Sequence, residues 1–202
     1  MNIHAYFDRE FIQSIAGKYL VLDTNVLTSL VSSPEFFSTF LKIFELNPFL
    51  LDPIVQLEFL RTTYLKDIYV DKLKFLELEK FNIMPNHQEI YKKILLNAKH
   101  IGQIQSKNGH LKTPLGDILI MARLMDCSEK HLFVTTDQSD FTTLLFDRLG
   151  IVSIEKFSNK KEGILEHISV LSFNKKKYKA CFNDLRTKDM LIKEMLPQAS
   201  TS

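Results

Sequence analysis

Four acidic side chains in this sequence stand beside apolar segments, where a charge is costly unless something pairs with it. Asp23 follows the run YLVL, Glu58 lies in PIVQLEFLR, Asp117 lies in LGDILIMA, and Asp137 follows FVTT. Carboxylates crowded together raise one another's pKa values, and they stay ionised only with a cation between them. An oxygen-rich cluster without histidine favours Mg²⁺ or Mn²⁺ over zinc. If the four acids meet, the chemistry implied is phosphodiester hydrolysis by metal-activated water.

Each acid, taken alone, also has an ordinary structural explanation. Asp23 can be a turn residue, Glu58 a solvated helix acid, Asp117 a favourable charge near a helix amino terminus, and Asp137 a turn residue or cap. For any single acid this explanation is the better one. A shared site is indicated only because four different elements can bring these acids to one edge of a sheet.

Short apolar runs bounded by polar residues predict buried strands. These runs lie at residues 19–22, 49–51, 132–135 and 151–154. Apolar periodicity and capping residues predict the helices. The helices are expected from about residue 33, from Pro53 behind the cap Asp52, and over residues 5–16, 67–80, 87–105, 113–125 and 140–148.

Strands that alternate with helices predict parallel strands joined by crossovers. We therefore expect an α/β fold with three layers, α/β/α, and a mostly parallel central sheet of four or five strands. Functional groups of such sheets gather beyond the carboxyl ends of the strands, where Asp23 and Asp137 stand. Residues 1–158 are predicted to form this domain, and residues 159–202 a lysine-rich helical extension with a frayed tail.

Composition narrows the class of protein. The chain has 202 residues, of which 45% are hydrophobic and 25% charged, with a net charge of +2. These values are typical of one globular domain and give only a weak attraction to polyanions. Cys127 and Cys181 lack metal-ligand spacing, and the sequence predicts neither a signal peptide nor a membrane span. We expect a soluble cytoplasmic protein that does not bind a membrane.

The segments VLDTNVL, PIVQLEFLR, LGDILIMARL and FVTTDQSDF, in this order, resemble the motifs of the PIN-domain nucleases, especially the VapC-type toxins. The resemblance covers residues 19–155. It implies a PIN-like fold and a metal-dependent endoribonuclease that uses Mg²⁺ or Mn²⁺. The residues that it assigns to the catalytic metal site are Asp23, Glu58, Asp117 and Asp137, with Asp140 as an auxiliary acid and Asn25 and Thr135 as residues that orient the first acid.

The same resemblance implies partners. A nuclease of this family acts on RNA, and a toxin would have a separate antitoxin protein that lays a peptide into the acidic site. Homodimers are also expected for the family. Residues after about 160 lie outside the resemblance.

Basic residues near the acids are candidates for contact with RNA. Arg61 follows Glu58 by three residues, Arg123 follows Asp117 by six, and Lys107 and Lys112 flank the loop before the third acid. They can contact phosphates, but surface ion pairs and a solvated loop are equally simple explanations. The run KKKYK at residues 175–179 is compatible with stacking on single-stranded bases, or with a solvated face.

Two other functions use the same residues. A non-catalytic RNA-binding or scaffold protein would keep the fold and hydrolyse nothing, although all four acids are present. A phosphatase of the haloacid-dehalogenase kind would use the first aspartate as its nucleophile. That family has a second aspartate two residues later, where this chain has Asn25.

Overall fold

The computed structural model describes residues 2–61, 65–85, 88–110, 113–137, 141, 143–158 and 161–195. Within these ranges the chain forms eight helices and one seven-stranded sheet. The strands are β1 (Asn2–Tyr6), β2 (Tyr19–Leu22), β3 (Phe49–Leu51), β4 (Phe81–Ile83), β5 (His131–Thr135), β6 (Phe146–Ser158) and β7 (Lys161–Phe173). The helices are α1 (Arg9–Ser14), α2 (Thr24–Ser32), α3 (Pro34–Ile43), α4 (Pro53–Arg61), α5 (Lys66–Leu76), α6 (Gln88–Lys107), α7 (Leu115–Cys127) and α8 (Lys175–Met195).

The sheet has a parallel half and an antiparallel half. Its strand order is β1-β6-β7-β5-β2-β3-β4, in which β5, β2, β3 and β4 are parallel neighbours. The connections from β2 to β3 and from β3 to β4 run one way across the sheet, and the connection from β4 to β5 returns. Because such crossovers are right-handed, opposite directions place helices on opposite faces. This arrangement confirms the α/β class and is consistent with three layers.

The antiparallel half differs from the expectation. A sheet of four or five strands was expected, and the described residues form seven. Residues 159–202 were predicted to be helical, but Lys161–Phe173 is strand β7, inserted between β5 and β6. The helix of this region is α8. Antiparallel pairing with β5 and β6 outweighs the local lysine-rich composition because the centre of β7 is buried, with Ile168 and Val170 both 0% exposed.

Smaller differences concern single helices and strands. The predicted helix over residues 5–16 is wrong at its start, because β1 pairs there with β6, and the helix α1 begins after its cap Asp8. The predicted helix over residues 140–148 is also wrong, since the described residues turn at 143–145 and enter β6 at Phe146. Helix α2 and strand β4 were not predicted. Long-range pairing or packing determines the secondary structure of all of these segments.

The predicted capping signals of α3 and α4 are confirmed. The Ser33 hydroxyl accepts a hydrogen bond from the Phe36 amide at 3.2 Å, and Asp52 Oδ1 accepts one from the Ile54 amide at 2.8 Å. Helix α3 buries its aromatic residues against the sheet, while β2 and β5 are buried almost completely. Among the described residues, no helix combines the length and apolar character needed to span a bilayer.

Candidate active site

An open cleft of about 240 Å³ lies beyond the carboxyl ends of β2 and β5. All four predicted acids line it, and each comes from a different part of the fold. Asp23 joins β2 to α2, Glu58 lies in α4, Asp117 lies in the first turn of α7, and Asp137 follows β5. The other lining residues are Thr24, Asn25, Arg61, Pro114 and Phe141.

Asp23 is the most buried of these acids, with 5% of its surface exposed. It caps the amino terminus of α2, where its Oδ1 accepts a hydrogen bond from the Thr24 amide at 2.7 Å. Its Oδ2 accepts one from the Thr135 hydroxyl at 2.6 Å. Two donors on opposite sides therefore hold the carboxylate in one orientation.

Burial raises the pKa of Asp23 to about 6, from an ordinary value of 3.8. The hydrogen bonds from Thr135 and Thr24 act against this rise, and the negative charges of Glu58 and Asp137 add to it. The ionised carboxylate is thus under-solvated and faces like charges. A cation in the cleft would relieve both effects.

Glu58 is positioned by contacts that the sequence did not reveal. Its Oε2 accepts a hydrogen bond from the Thr24 hydroxyl at 3.1 Å, which ties α4 to the start of α2. Helix α7 approaches the same carboxylate at Gly116, where a Cβ atom would overlap with Glu58 Oε1 and lie 3.5 Å from Ile54 Cγ2. A glycine in the first turn of a helix, directly before an acid, was the available signal for this close approach.

Thr135 links the first and fourth acids. Its side chain is 0% exposed, donates to Asp23, and accepts a hydrogen bond from the Asp137 amide at 2.9 Å. This contact agrees with the orienting role that the resemblance gives to Thr135. Asn25, which was given the same role, is exposed and lines the cleft, and no hydrogen bond joins it to Asp23 within the described ranges.

The donor set of the cleft fits a hard divalent cation by its chemistry. It consists of carboxylate oxygens, which Mg²⁺ and Mn²⁺ prefer, and burial, with a smaller contribution from the charges of Glu58 and Asp137, raises the pKa of Asp23. The described residues do not contain three or more acidic, histidine or cysteine side chains already close enough to hold an ion. Binding would therefore require the carboxylates to close on the ion.

The basic residues predicted to contact RNA are placed differently from one another. Arg61 is exposed and lines the cleft. Arg123 is only 6% exposed, and its Nε lies 3.0 Å from the Oδ2 of the fully buried Asp52. The structure gives no support to contact between Arg123 and RNA, because the guanidinium is buried in an ion pair between α7 and the start of α4. Lys107 pairs with Asp184 of α8 and does not line the cleft.

Two predicted residues, Asp140 and Lys112, lie outside the described residues. The proposed stacking of bases on the aromatic residue of KKKYK is not supported. The Tyr178 ring is half-buried and stacks on Phe182, with centroids 5.8 Å apart and an angle of 9°.

No family model, curated protein or solved structure matches this chain.

Proposed function

We propose that this chain is a metal-dependent endoribonuclease with a PIN-like fold, which hydrolyses phosphodiester bonds of RNA with the help of Mg²⁺ or Mn²⁺. The observation that carries the proposal is the meeting of four acids, from four separate elements, in one cleft at the carboxyl ends of parallel strands. This edge is where α/β sheets bind their ligands. The choice of RNA as substrate comes from the four motifs that resemble the PIN-domain nucleases.

The cleft residues have distinct tasks in this proposal. Asp23, Glu58, Asp117 and Asp137 would hold the divalent ion. When bound, the ion supplies Lewis acidity, which makes a water molecule nucleophilic and offsets the charge of the phosphate. The Thr24 amide and the Thr135 hydroxyl keep the Asp23 carboxylate oriented, so the other carboxylates would close on an ion held at Asp23.

Arg61 has a complementary task on the exposed side of the cleft. Four carboxylates repel an RNA phosphate, and a guanidinium on the same wall reduces that repulsion. Its planar donors can also bind two phosphate oxygens at once, which fixes the orientation of the phosphodiester. Arg61 thus favours substrate binding, whereas the acids favour the chemical step.

The test is cleavage of single-stranded and structured RNA by the purified protein in Mg²⁺, Mn²⁺ or EDTA. We expect cleavage with either metal and none in EDTA. Asp23→Asn and Asp117→Asn should each reduce the rate by more than about 100-fold, because each removes a charged metal ligand. The matched control is Asp71→Asn, since Asp71 is exposed on α5.

Two results would contradict the proposal. Cleavage that persists in EDTA, or that survives both substitutions in the cleft, would exclude a metal–carboxylate mechanism. RNA binding without cleavage in either metal would support the non-catalytic RNA-binding alternative.

A further inference from the structure

Helix α8 carries an exposed basic face that the proposed active site does not use. Lys176, Lys179 and Arg186 are all exposed and stand at relative positions i, i+3 and i+10. At 100° per residue these positions fall within about 80° of one another around the helix. We call these three residues the basic stripe.

The opposite side of α8 packs against the domain. The Phe182 ring lies against His100 of α6, with centroids 4.6 Å apart, and Asp184 pairs with Lys107. Lys177 Nζ lies 2.7 Å from Asp147 Oδ1 and donates to two main-chain carbonyls before and within β6. The orientation of α8 about its own axis is thus defined, and it leaves the basic stripe toward solvent.

The charges of the stripe are not balanced locally. In the part of the chain that the structure describes, no ion pair involves Lys176, Lys179 or Arg186. Among residues 175–187, the part of α8 whose side chains the structure describes, Asp184 is the only acid, and it pairs with Lys107 of α6. The net charge of the whole chain is only +2, so a positive surface has to be local, and this helix provides one.

The direction of α8 relative to its neighbouring helices shows toward which edge of the sheet the basic stripe runs. Lys175, at the start of α8, lines the same small cavity as Cys127, the last residue of α7. Further along, Asp184 pairs with Lys107, the last residue of α6. Helix α8 therefore runs parallel to α6 and antiparallel to α7.

Along the helix axis, the end of the basic stripe lies at about the same height as the start of α7, because the two segments have equal lengths. Helix α7 has 13 residues, and the segment from Lys175 to Thr187 has the same number. At 1.5 Å per residue, Arg186 lies at about the level of the first turn of α7, which contains Asp117. The stripe thus extends roughly 15 Å from the far edge of the sheet toward the edge that holds the cleft.

We propose that the basic stripe of α8 binds the phosphate backbone of an RNA strand whose scissile bond lies in the cleft. The inference rests on the proposed function, because it assigns a docking surface for the same substrate. A cleft lined by four acids and one arginine repels a polyanion, so high affinity for a long strand needs further cations outside the cleft. A span of roughly 15 Å suits several consecutive phosphates, and the contact would not depend on base sequence.

The experiment compares two triple variants with the same change in net charge. The stripe variant is Lys176→Gln, Lys179→Gln and Arg186→Gln. The control replaces three exposed lysines with glutamine near the amino-terminal ends of the parallel strands. These lysines are Lys42, Lys74 and Lys80. Binding of a long fluorescein-labelled single-stranded RNA is measured in EDTA at increasing salt, so that cleavage does not interfere.

For the stripe variant we expect affinity to fall about 10-fold, and the slope of log K against log salt to decrease by about 2, because each neutralised contact releases about 0.7 counterions from a single strand. The control should keep the slope of the unmodified protein. Returning Lys176 and Lys179 as arginines should restore most of the affinity. Circular dichroism melting of each variant checks that the fold is retained.

Cleavage in Mg²⁺ separates docking from chemistry. The stripe variant should raise KM for the long RNA about 10-fold, while kcat and the cleavage of a short oligoribonucleotide that fills only the cleft stay unchanged. The inference is overturned if the stripe variant and the control bind the long RNA alike, or if the unmodified protein does not bind it. Failure of the nuclease proposal is a different result, namely no cleavage by the unmodified protein although the stripe still binds RNA.

Discussion

Replacement of Asp23 by asparagine should abolish the proposed activity and at the same time stabilise the metal-free protein at neutral pH. Asp23 is 5% exposed, and burial raises its pKa to about 6 from 3.8. The folded protein therefore binds this proton more tightly than the unfolded chain does. The resulting stability is fully present below about pH 3.8 and is lost as the pH rises through about 6.

The size of the effect follows from the shift. A difference of about two pKa units, at 1.36 kcal/mol each, means that the ionised Asp23 costs roughly 3 kcal/mol at neutral pH. Asparagine removes this charge and can still accept from the Thr24 amide. Its amide nitrogen cannot accept from the Thr135 hydroxyl, which can donate instead to the Asp137 carbonyl at 3.2 Å, and the loss of the hydrogen bond to a charged acceptor costs about 1 kcal/mol. The expected net gain is about 2 kcal/mol.

Urea unfolding in EDTA, at about pH 7.5 and about pH 4, measures this difference. The Asp23→Asn protein should be the more stable one at about pH 7.5, and its advantage should disappear at about pH 4, where the native carboxyl is largely protonated. Excess Mg²⁺ should then stabilise the unmodified protein by about 2.7 kcal/mol at 100 times Kd and leave the variant unchanged. The exposed Asp71→Asn control should show none of these effects.

The reasoning would be refuted by a variant that is less stable than the unmodified protein at about pH 7.5. It would also be refuted by a stability difference that is the same at both pH values, since the charge of Asp23 would then not be its source.

Three further substitutions test other contacts. Gly116→Ala should reduce Mg²⁺-dependent cleavage at least about 10-fold, because a Cβ atom displaces the Glu58 carboxylate, with a change of less than about 0.5 kcal/mol in stability. Gly102→Ala, whose Cβ would lie 3.7 Å from its nearest neighbour, is the control, and equal activities of the two variants would contradict the role of this close approach. Thr135→Val removes a hydrogen bond that lowers the pKa of Asp23, so the acidic limb of the pH–rate profile should move to higher pH. A limb that does not move would contradict this role of Thr135. Arg123→Ala leaves a buried carboxylate unpaired and should destabilise the protein by about 3–5 kcal/mol in urea unfolding, while a loss below about 1 kcal/mol would mean that the ion pair contributes little.

Local signals in the sequence predicted the parallel half of the fold. The apolar runs of β2 and β5 are buried strands, and Ser33 and Asp52 cap helices as their positions beside prolines indicated. The acids could be located for the same reason, since each stands at a recognisable place in its element. Such features depend on neighbours within a few residues, which a single sequence displays.

Contacts between distant segments could not be predicted in the same way. Strand β7 has an ordinary lysine-containing sequence at its start, and only its pairing with β5 and β6 makes it part of the sheet. Arg123 follows Asp117 by about one and a half turns, yet its partner Asp52 is 71 positions away in the chain. The bond between Thr24 and Glu58 likewise joins residues 34 apart. Partners of this kind are decided by topology, which one sequence does not display.

The position of β7 has a consequence for the order in which the protein can assemble. Strand β5 delivers Thr135 and the acid after it to the cleft, and one of its two edges is covered only by β7. Because β7 leaves the ribosome after all four acids, a nascent chain holds the complete acidic set before β5 is paired on both sides. A polypeptide that stops at about residue 158 would have an open strand edge beside the site, prone to pairing with other chains. No described residue of β7 lines the cleft, yet the strand that delivers Thr135 is paired on both sides only after this segment has been synthesised.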